Sequence, residues 1–154
     1  MTMSGSVFLA RLAIATLLSL LLSACGGSRD VSGQRLEIVT HALAQIGTPY
    51  RYGGAAPDGF DCSGLVYYTH KNAGIDVPRV SSAQKSSARR VSRSSLQPGD
   101  LVFFNTGATT SHVGIMIDST RFVHAPSSGK HVSTSSITDH YWRRNFTGAA
   151  TYLN

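Results

Sequence analysis

The chain of 154 residues predicts an α+β fold. Three observations carry this expectation. Apolar residues recur at helical spacing over 34–46 and 63–73, in the first half. Five short β-prone runs follow, at 101–104, 113–117, 121–125, 131–133 and 149–153, separated by Gly, Ser, Asp and Pro. Helices placed before strands, with no internal repeat, point to α+β rather than to alternating α/β.

The chain opens MTMSGSVFLARLAIATLLSLLLSACGGS. Arg11 and the amino terminus form a short basic region, and Leu12 to Leu22 is an apolar run. That run is shorter than the roughly 20 residues that span a bilayer, and it has the length of a signal-peptide core. It ends Leu22-Ser23-Ala24-Cys25-Gly26, which resembles a bacterial lipobox. The resemblance implies lipid on Cys25 after cleavage; an ordinary small-residue cleavage site is the alternative. Gly26 rather than Asp follows, which among Gram-negative lipoproteins permits sorting to the outer membrane. The expected organisation is a signal peptide over 1–24, a lipidated linker over 25–33 and one domain over 34–154. Removing 1–24 removes Arg11 and no acid, so the net charge of +6 becomes +5. A basic exported chain suits cell-wall polymer or anionic lipid. Nucleic acid is set aside, because no nucleic-acid motif is present.

The first helix is expected over Gln34–Ile46, with Leu36, Val39, Ala42, Leu43 and Ile46 on one face and Gly47 and Pro49 as its stop. Tyr50 to Asp61 holds three glycines and a proline and reads as a loop. The second helix is expected over Ser63–Ala73, with Leu65 and Val66 inward and Gly74 ending it. Residues 81–95 are polar and basic, with Lys85, Arg89, Arg90 and Arg93. They read as a solvated surface or as a patch for anionic polymer. Gln97-Pro98-Gly99-Asp100 marks the turn into the strands.

The chemistry centres on Cys62. The chain has two cysteines, and lipid on Cys25 would leave Cys62 without a partner. An odd cysteine in an exported protein is an intermolecular bridge or a free, reactive thiol. Asp61-Cys62-Ser63-Gly64 sets it at the start of a helix, whose N–H groups and partial positive charge stabilise a thiolate. Asp61 or Ser63 can cap that helix. Small Ser63 and Gly64 leave room for a carbonyl, and the free N–H groups there can hold an oxyanion. The competing reading is a small buried structural cysteine.

Two histidines decide between them. Ser111–Ile117 and Arg121–Ala125 read as strands joined by Asp118-Ser119-Thr120. A three-residue hairpin loop would pair Ile117 with Arg121 and set His124 opposite Gly114. His112 and His124 would then share a face as diagonal neighbours, about 7–8 Å apart at the backbone. One can orient the other, as a nucleophile, base and orienter require. Gly114 is expected to leave space beside them. A zinc site of one Cys and two His is the alternative, though no close ligand pair at metal spacing occurs. His41, His70, His131 and His140 read as structural or solvent-facing, and a strand returning after His124 could bring His131 near the site.

The blocks Gly47-Thr48-Pro49-Tyr50-Arg51-Tyr52-Gly53-Gly54, Phe60-Asp61-Cys62-Ser63-Gly64-Leu65-Val66, Leu96–Phe104, His112-Val113-Gly114-Ile115 and Phe122-Val123-His124-Ala125 together resemble the NlpC family of papain-like cell-wall peptidases. With the lipobox and small size, the likeness is greatest to its lipoprotein murein endopeptidases. The resemblance implies a papain-like fold, in which a helical part presents the nucleophile to an antiparallel sheet. It implies Cys62 as nucleophile, His112 as base and His124 as its orienter. Tyr52 matches an aromatic that lines the site or supports the oxyanion, and Asp61 and Ser63 shape substrate binding. Residues 77–84 resemble a Pro-Arg-Thr-Ser stretch, with Val80 where threonine is frequent. The implied partner is the peptidoglycan stem peptide, acted on by a monomer without metal or cofactor. The bond is the D-alanyl–diaminopimelate cross-link or the γ-D-glutamyl–diaminopimelate bond. A non-catalytic wall-binding lipoprotein and an acyltransferase on the same fold are the competing readings.

Overall fold

Residues 30–107, 111–127 and 130–153 are described by a computed structural model. In chain order the elements are α1 (Val31–Leu43), a small hairpin of β1 (Ala55–Ala56) and β2 (Gly59–Phe60), α2 (Cys62–Asn72), α3 (Ser81–Ser87) and β3 (Arg89–Val91). After a 3₁₀ turn at Arg93–Ser95 come β4 (Leu101–Asn105), β5 (Ser111–Met116), β6 (Arg121–His124), β7 (Ser133–Ser136), α4 (His140–Asn145) and β8 (Phe146–Thr151). Six strands form one antiparallel sheet in the order β3-β8-β4-β5-β6-β7. The α+β expectation holds. The signal-peptide and Cys25 readings lie outside the described residues.

Strand alternation builds two cores, because successive side chains point to opposite faces. Along β4, Leu101 and Phe103 join Leu65, Val66, Val113 and Ile115 beneath the helices. Val102 and Phe104 point the other way and meet Met116, Phe122 and Trp142. Each fully buried Leu or Phe contributes about 1.5–3 kcal/mol. Helix α4, which supplies Trp142, has no expectation in the sequence; six residues make too short a period to read.

Helix α1 begins at Val31 and ends at Leu43, three residues earlier at each end than expected. Its buried residues are Ile38 and Ala42, whereas Leu36, Leu43 and Ile46 of the expected inner face are exposed. Arg35 turns the helix by pairing with the buried Asp100 at 2.9 Å and donating to the Pro98 carbonyl at 2.6 Å. That contact sets Ile38 against Gly99 in the turn before β4. Helix α2 buries Leu65 and Val66 as expected, and Gly74 ends it at φ 75°.

The basic segment is a fastener. Lys85 donates to the Thr147 carbonyl and hydroxyl at 3.1 and 2.9 Å. Arg89 donates to the Leu153 carbonyl at 3.0 Å. Arg93 donates to the Ile137 carbonyl at 2.8 Å and lies over the Phe146 ring. Three of its four cations thus tie this edge to the C-terminal strand region, while most of the segment faces solvent as expected.

Candidate active site

Cys62 is the first residue of α2, and Asp61 is the N-cap. Asp61 accepts the Gly64 N–H at 2.6 Å, the Ser63 hydroxyl at 3.1 Å and the Gly53 N–H at 3.0 Å. The Arg79 guanidinium adds a two-pronged pair at 2.9 and 2.8 Å. Arg79 also donates to Ser63 Oγ and the Gly54 carbonyl, both at 3.1 Å. One cation therefore binds the cap, the helix start and the β1 turn together. Burial pushes the Asp61 carboxyl upward, but Arg79, the Gly64 N–H and the Ser63 hydroxyl outweigh it and hold it below its ordinary value. Of the two residues expected to cap, Asp61 does so, and the Ser63 hydroxyl donates to it.

Gly64 is needed for close approach. A Cβ there would stand 1.9 Å from the Gly54 carbonyl oxygen. The small residue thus serves contact with the β1 turn.

The Cys62 thiol is largely removed from solvent, and burial pushes its pKa up. The Val113 N–H points at the sulfur and favours the thiolate, as do the N–H groups of Ser63 and Cys62. The Asp61 charge opposes them, and the net direction is upward. The helix start favours the thiolate as expected, and burial, which the sequence does not show, outweighs it. Deprotonation needs a base.

The candidate base, His112, is the neighbour of Val113 in β5. Strands β5 and β6 pair Ile115 with Val123 and Met116 with Phe122, so the register extends to Gly114 opposite His124. Ile117 donates to the Arg121 carbonyl at 2.9 Å across the expected three-residue loop. His112 Nε2 and His124 Nδ1 share a hydrogen bond of 2.8 Å, and His124 Nε2 meets Ser135 Oγ at 3.0 Å. Burial pushes His112 down to about 4. Burial, then the charges of His112 and Lys130, push His124 down to about 3. Both rings are therefore neutral near pH 7.

Two expectations around this pair change. The space expected beside Gly114 is filled: a Cβ there would meet the Phe122 ring at 2.4 Å. The pair is also roofed by Trp142, stacked on His112 at 5.6 Å between centroids and edge-on to His124 at 5.0 Å.

Cys62 opens into a cleft of about 470 Å³ whose lining includes the three expected residues Tyr52, Asp61 and Ser63, together with Tyr50, Arg79 and Val80. Tyr52 is 90% exposed and stands at the rim. Tyr50 lies deeper, and its hydroxyl pKa is raised by burial and by the Cys62 and Asp61 charges. His41, His131 and His140 line no part of this cleft. His70 is fully buried on α2, its Nδ1 3.0 Å from the Val66 carbonyl, and burial pushes it to about 4.

The NlpC/P60 family profile matches residues 47–151, which include every residue of this cleft. The chain belongs to the NlpC/P60 family. Over 113 residues it is 42% identical to murein DD-endopeptidase MepH of Escherichia coli K12, a match that covers 70% of this chain and 42% of MepH. It is 41% identical over 109 residues to the same organism's murein DD-endopeptidase MepS/murein LD-carboxypeptidase, covering 70% of this chain and 57% of that protein. The chain thus spans well under two thirds of these relatives' lengths. A crystal structure of a lipoprotein-like NLP/P60 protein from Staphylococcus aureus superposes with a TM-score of 0.72 at 33% identity, covering 90% of this chain and 48% of that one.

Within this NlpC/P60 domain, sequence reasoning missed Tyr50, Arg79, Ser135 and Trp142. Tyr50 and Arg79 stood in the quoted motif blocks, but nothing local told Tyr50 from Tyr52 or tied Arg79 to Asp61, 18 residues away. Ser135 reaches His124 only through β6–β7 pairing.

Proposed function

We propose that this protein is a cysteine endopeptidase that hydrolyses peptidoglycan stem peptides, with the D-alanyl–diaminopimelate cross-link as its target. The observation that carries the reading is the 2.8 Å His112–His124 hydrogen bond beside the Val113 N–H that faces the Cys62 sulfur. It supplies a nucleophile, a base and an orienter. The murein endopeptidase names of MepH and MepS support the substrate class.

Cys62 Sγ attacks the scissile carbonyl as its proton passes to His112 Nδ1. The Cys62 and Ser63 N–H groups receive the developing oxyanion. His112 Nε2–H donates to His124 Nδ1, and His124 Nε2–H donates to Ser135 Oγ, which holds the base in the tautomer it needs. The C–N bond breaks as His112 returns the proton to the leaving nitrogen, leaving a thioester on Cys62. Water, deprotonated by His112, then releases the acid and the thiol. Tyr52 contributes the rim of the substrate cleft, and Asp61 and Ser63 line it while also holding α2. Lipid on Cys25 and a catalytic domain over 34–154 complete the reading. They give a monomer carried at the periplasmic face of the outer membrane, within reach of the wall.

Mass spectrometry of cross-linked muropeptides after incubation with the protein tests this. Monomers are expected, and shortened stem peptides would move the cut to the γ-D-glutamyl bond. Equal products from Cys62→Ala would refute the thiol mechanism.

A further inference from the structure

A peptidase must hold both halves of its substrate. Among the described residues, the Cys62 cleft shares no lining residue with a second cleft of about 370 Å³, formed by Thr106, Pro126, Ser127, Lys130, Tyr141 and Trp142. His112 connects them. Its neighbour Val113 directs an N–H at Cys62 Sγ, and its own ring stacks on Trp142. The histidine that the endopeptidase reading makes the proton donor therefore packs against a residue that lines the second cleft.

The second cleft has a definite charge. Through Thr106 and Tyr141 it continues into a hollow lined by Arg144. Among the described residues, no acidic one lines either part. Among the described residues, neither Lys130 nor Arg144 forms an ion pair. Lys130 is anchored at its backbone: its N–H donates to the Ser127 carbonyl at 3.2 Å, and its carbonyl accepts the Tyr50 N–H at 2.8 Å. Its charge is felt at His124.

We infer that this second cleft receives the leaving-amine half of the substrate and that Lys130 binds a carboxylate on it. The inference rests on the endopeptidase reading and sharpens it. In a D-alanyl–diaminopimelate cross-link, the carbon that bears the leaving nitrogen also bears a free carboxylate. In the γ-D-glutamyl bond of a tetrapeptide stem, that carbon bears a peptide carbonyl instead. An ammonium lining that cleft distinguishes the two, because one offers it an anion and the other a neutral amide.

The test uses the full chain and two dimeric muropeptides, one with this carboxylate free and one with it amidated. The wild type is expected to prefer the free carboxylate by about tenfold in kcat/KM, mainly through KM. Lys130→Gln removes the preference, Lys130→Glu reverses it and Lys130→Arg keeps most of it. Binding of the released amine product to Cys62→Ala, read by calorimetry, should weaken about tenfold when Lys130→Gln is added. Wild-type turnover without a preference, or a preference that survives Lys130→Gln, overturns the assignment and leaves the endopeptidase reading intact. Product binding that ignores Lys130 overturns it too. Failure of the wild type to cleave either dimer overturns the endopeptidase reading, and the inference with it.

Discussion

Gly64→Ala places one methyl group where α2, the helix that begins at Cys62, meets the β1 turn. The new Cβ would lie 1.9 Å from the Gly54 oxygen and 3.0 Å from both the Gly54 carbonyl carbon and Arg79 Nη2. Ordinary contact begins at 3.4 Å, so α2 and the turn must separate by about 1.5 Å. Backbone atoms on the Gly54 side cannot swing away as a side chain would. Overpacking of this kind costs about 1–3 kcal/mol of stability. The same displacement carries Cys62, two residues away, out of line with the His112–His124 pair. A misplacement of about 1 Å can cost a factor of about 10² in rate. We expect kcat/KM on a cross-linked muropeptide to fall about 100-fold, with urea denaturation showing a folded but weakened protein. Gly33→Ala is the control. It lies in α1 with nothing within 4 Å of its new Cβ, and replacing a helical glycine should stabilise by about 0.5–1 kcal/mol. Gly64→Ala with wild-type activity would refute the close-packing argument.

Other outcomes follow from the same geometry. His70 is buried with its pKa near 4 against an ordinary 6.5, so the unfolded chain binds the extra proton first as the pH falls. Its contribution to stability is present above pH 6.5 and is lost by about pH 4, for a loss of about 3 kcal/mol. Denaturation curves at pH 7 and 4 should therefore differ less in His70→Gln than in the wild type by about that amount, and equal differences would contradict the assignment. His112 must be unprotonated to act as base, and its pKa near 4 places the acid limb of kcat/KM near pH 4; a limb near 6.5 would mean a solvated ring. Ser135→Ala removes the acceptor for His124 Nε2 and should lower kcat several-fold with KM unchanged, a split that steady-state kinetics reads directly. Arg79→Lys loses the two-pronged pairing with Asp61, so its thermal midpoint and its rate should fall together.

Much of the site was legible because its logic is local or hairpin-local. Asp61-Cys62-Ser63-Gly64 carries its own cap, and a three-residue loop fixes the register that pairs His112 with His124. The electrostatics were less legible. The sequence shows the N–H groups that favour a thiolate but hides the burial that opposes them. Residues that reach the site through long-range packing were hidden as well. Trp142 comes from a six-residue helix about 80 positions beyond Cys62 in the chain, and its place over the histidines depends on Phe104 and Phe122 from two strands. The face of α1 was misread because a buried ion pair, rather than the apolar count, orients that helix.

The most direct measurement is the single-turnover rate of cleavage of a purified cross-linked muropeptide dimer. The wild type, Cys62→Ala and His112→Ala would be compared, with folding of each verified by circular dichroism. The account predicts rapid conversion to monomers by the wild type and no detectable conversion by either folded variant. Conversion by Cys62→Ala at the wild-type rate would contradict it, because the sulfur beside the Val113 N–H would then have no part in breaking the bond.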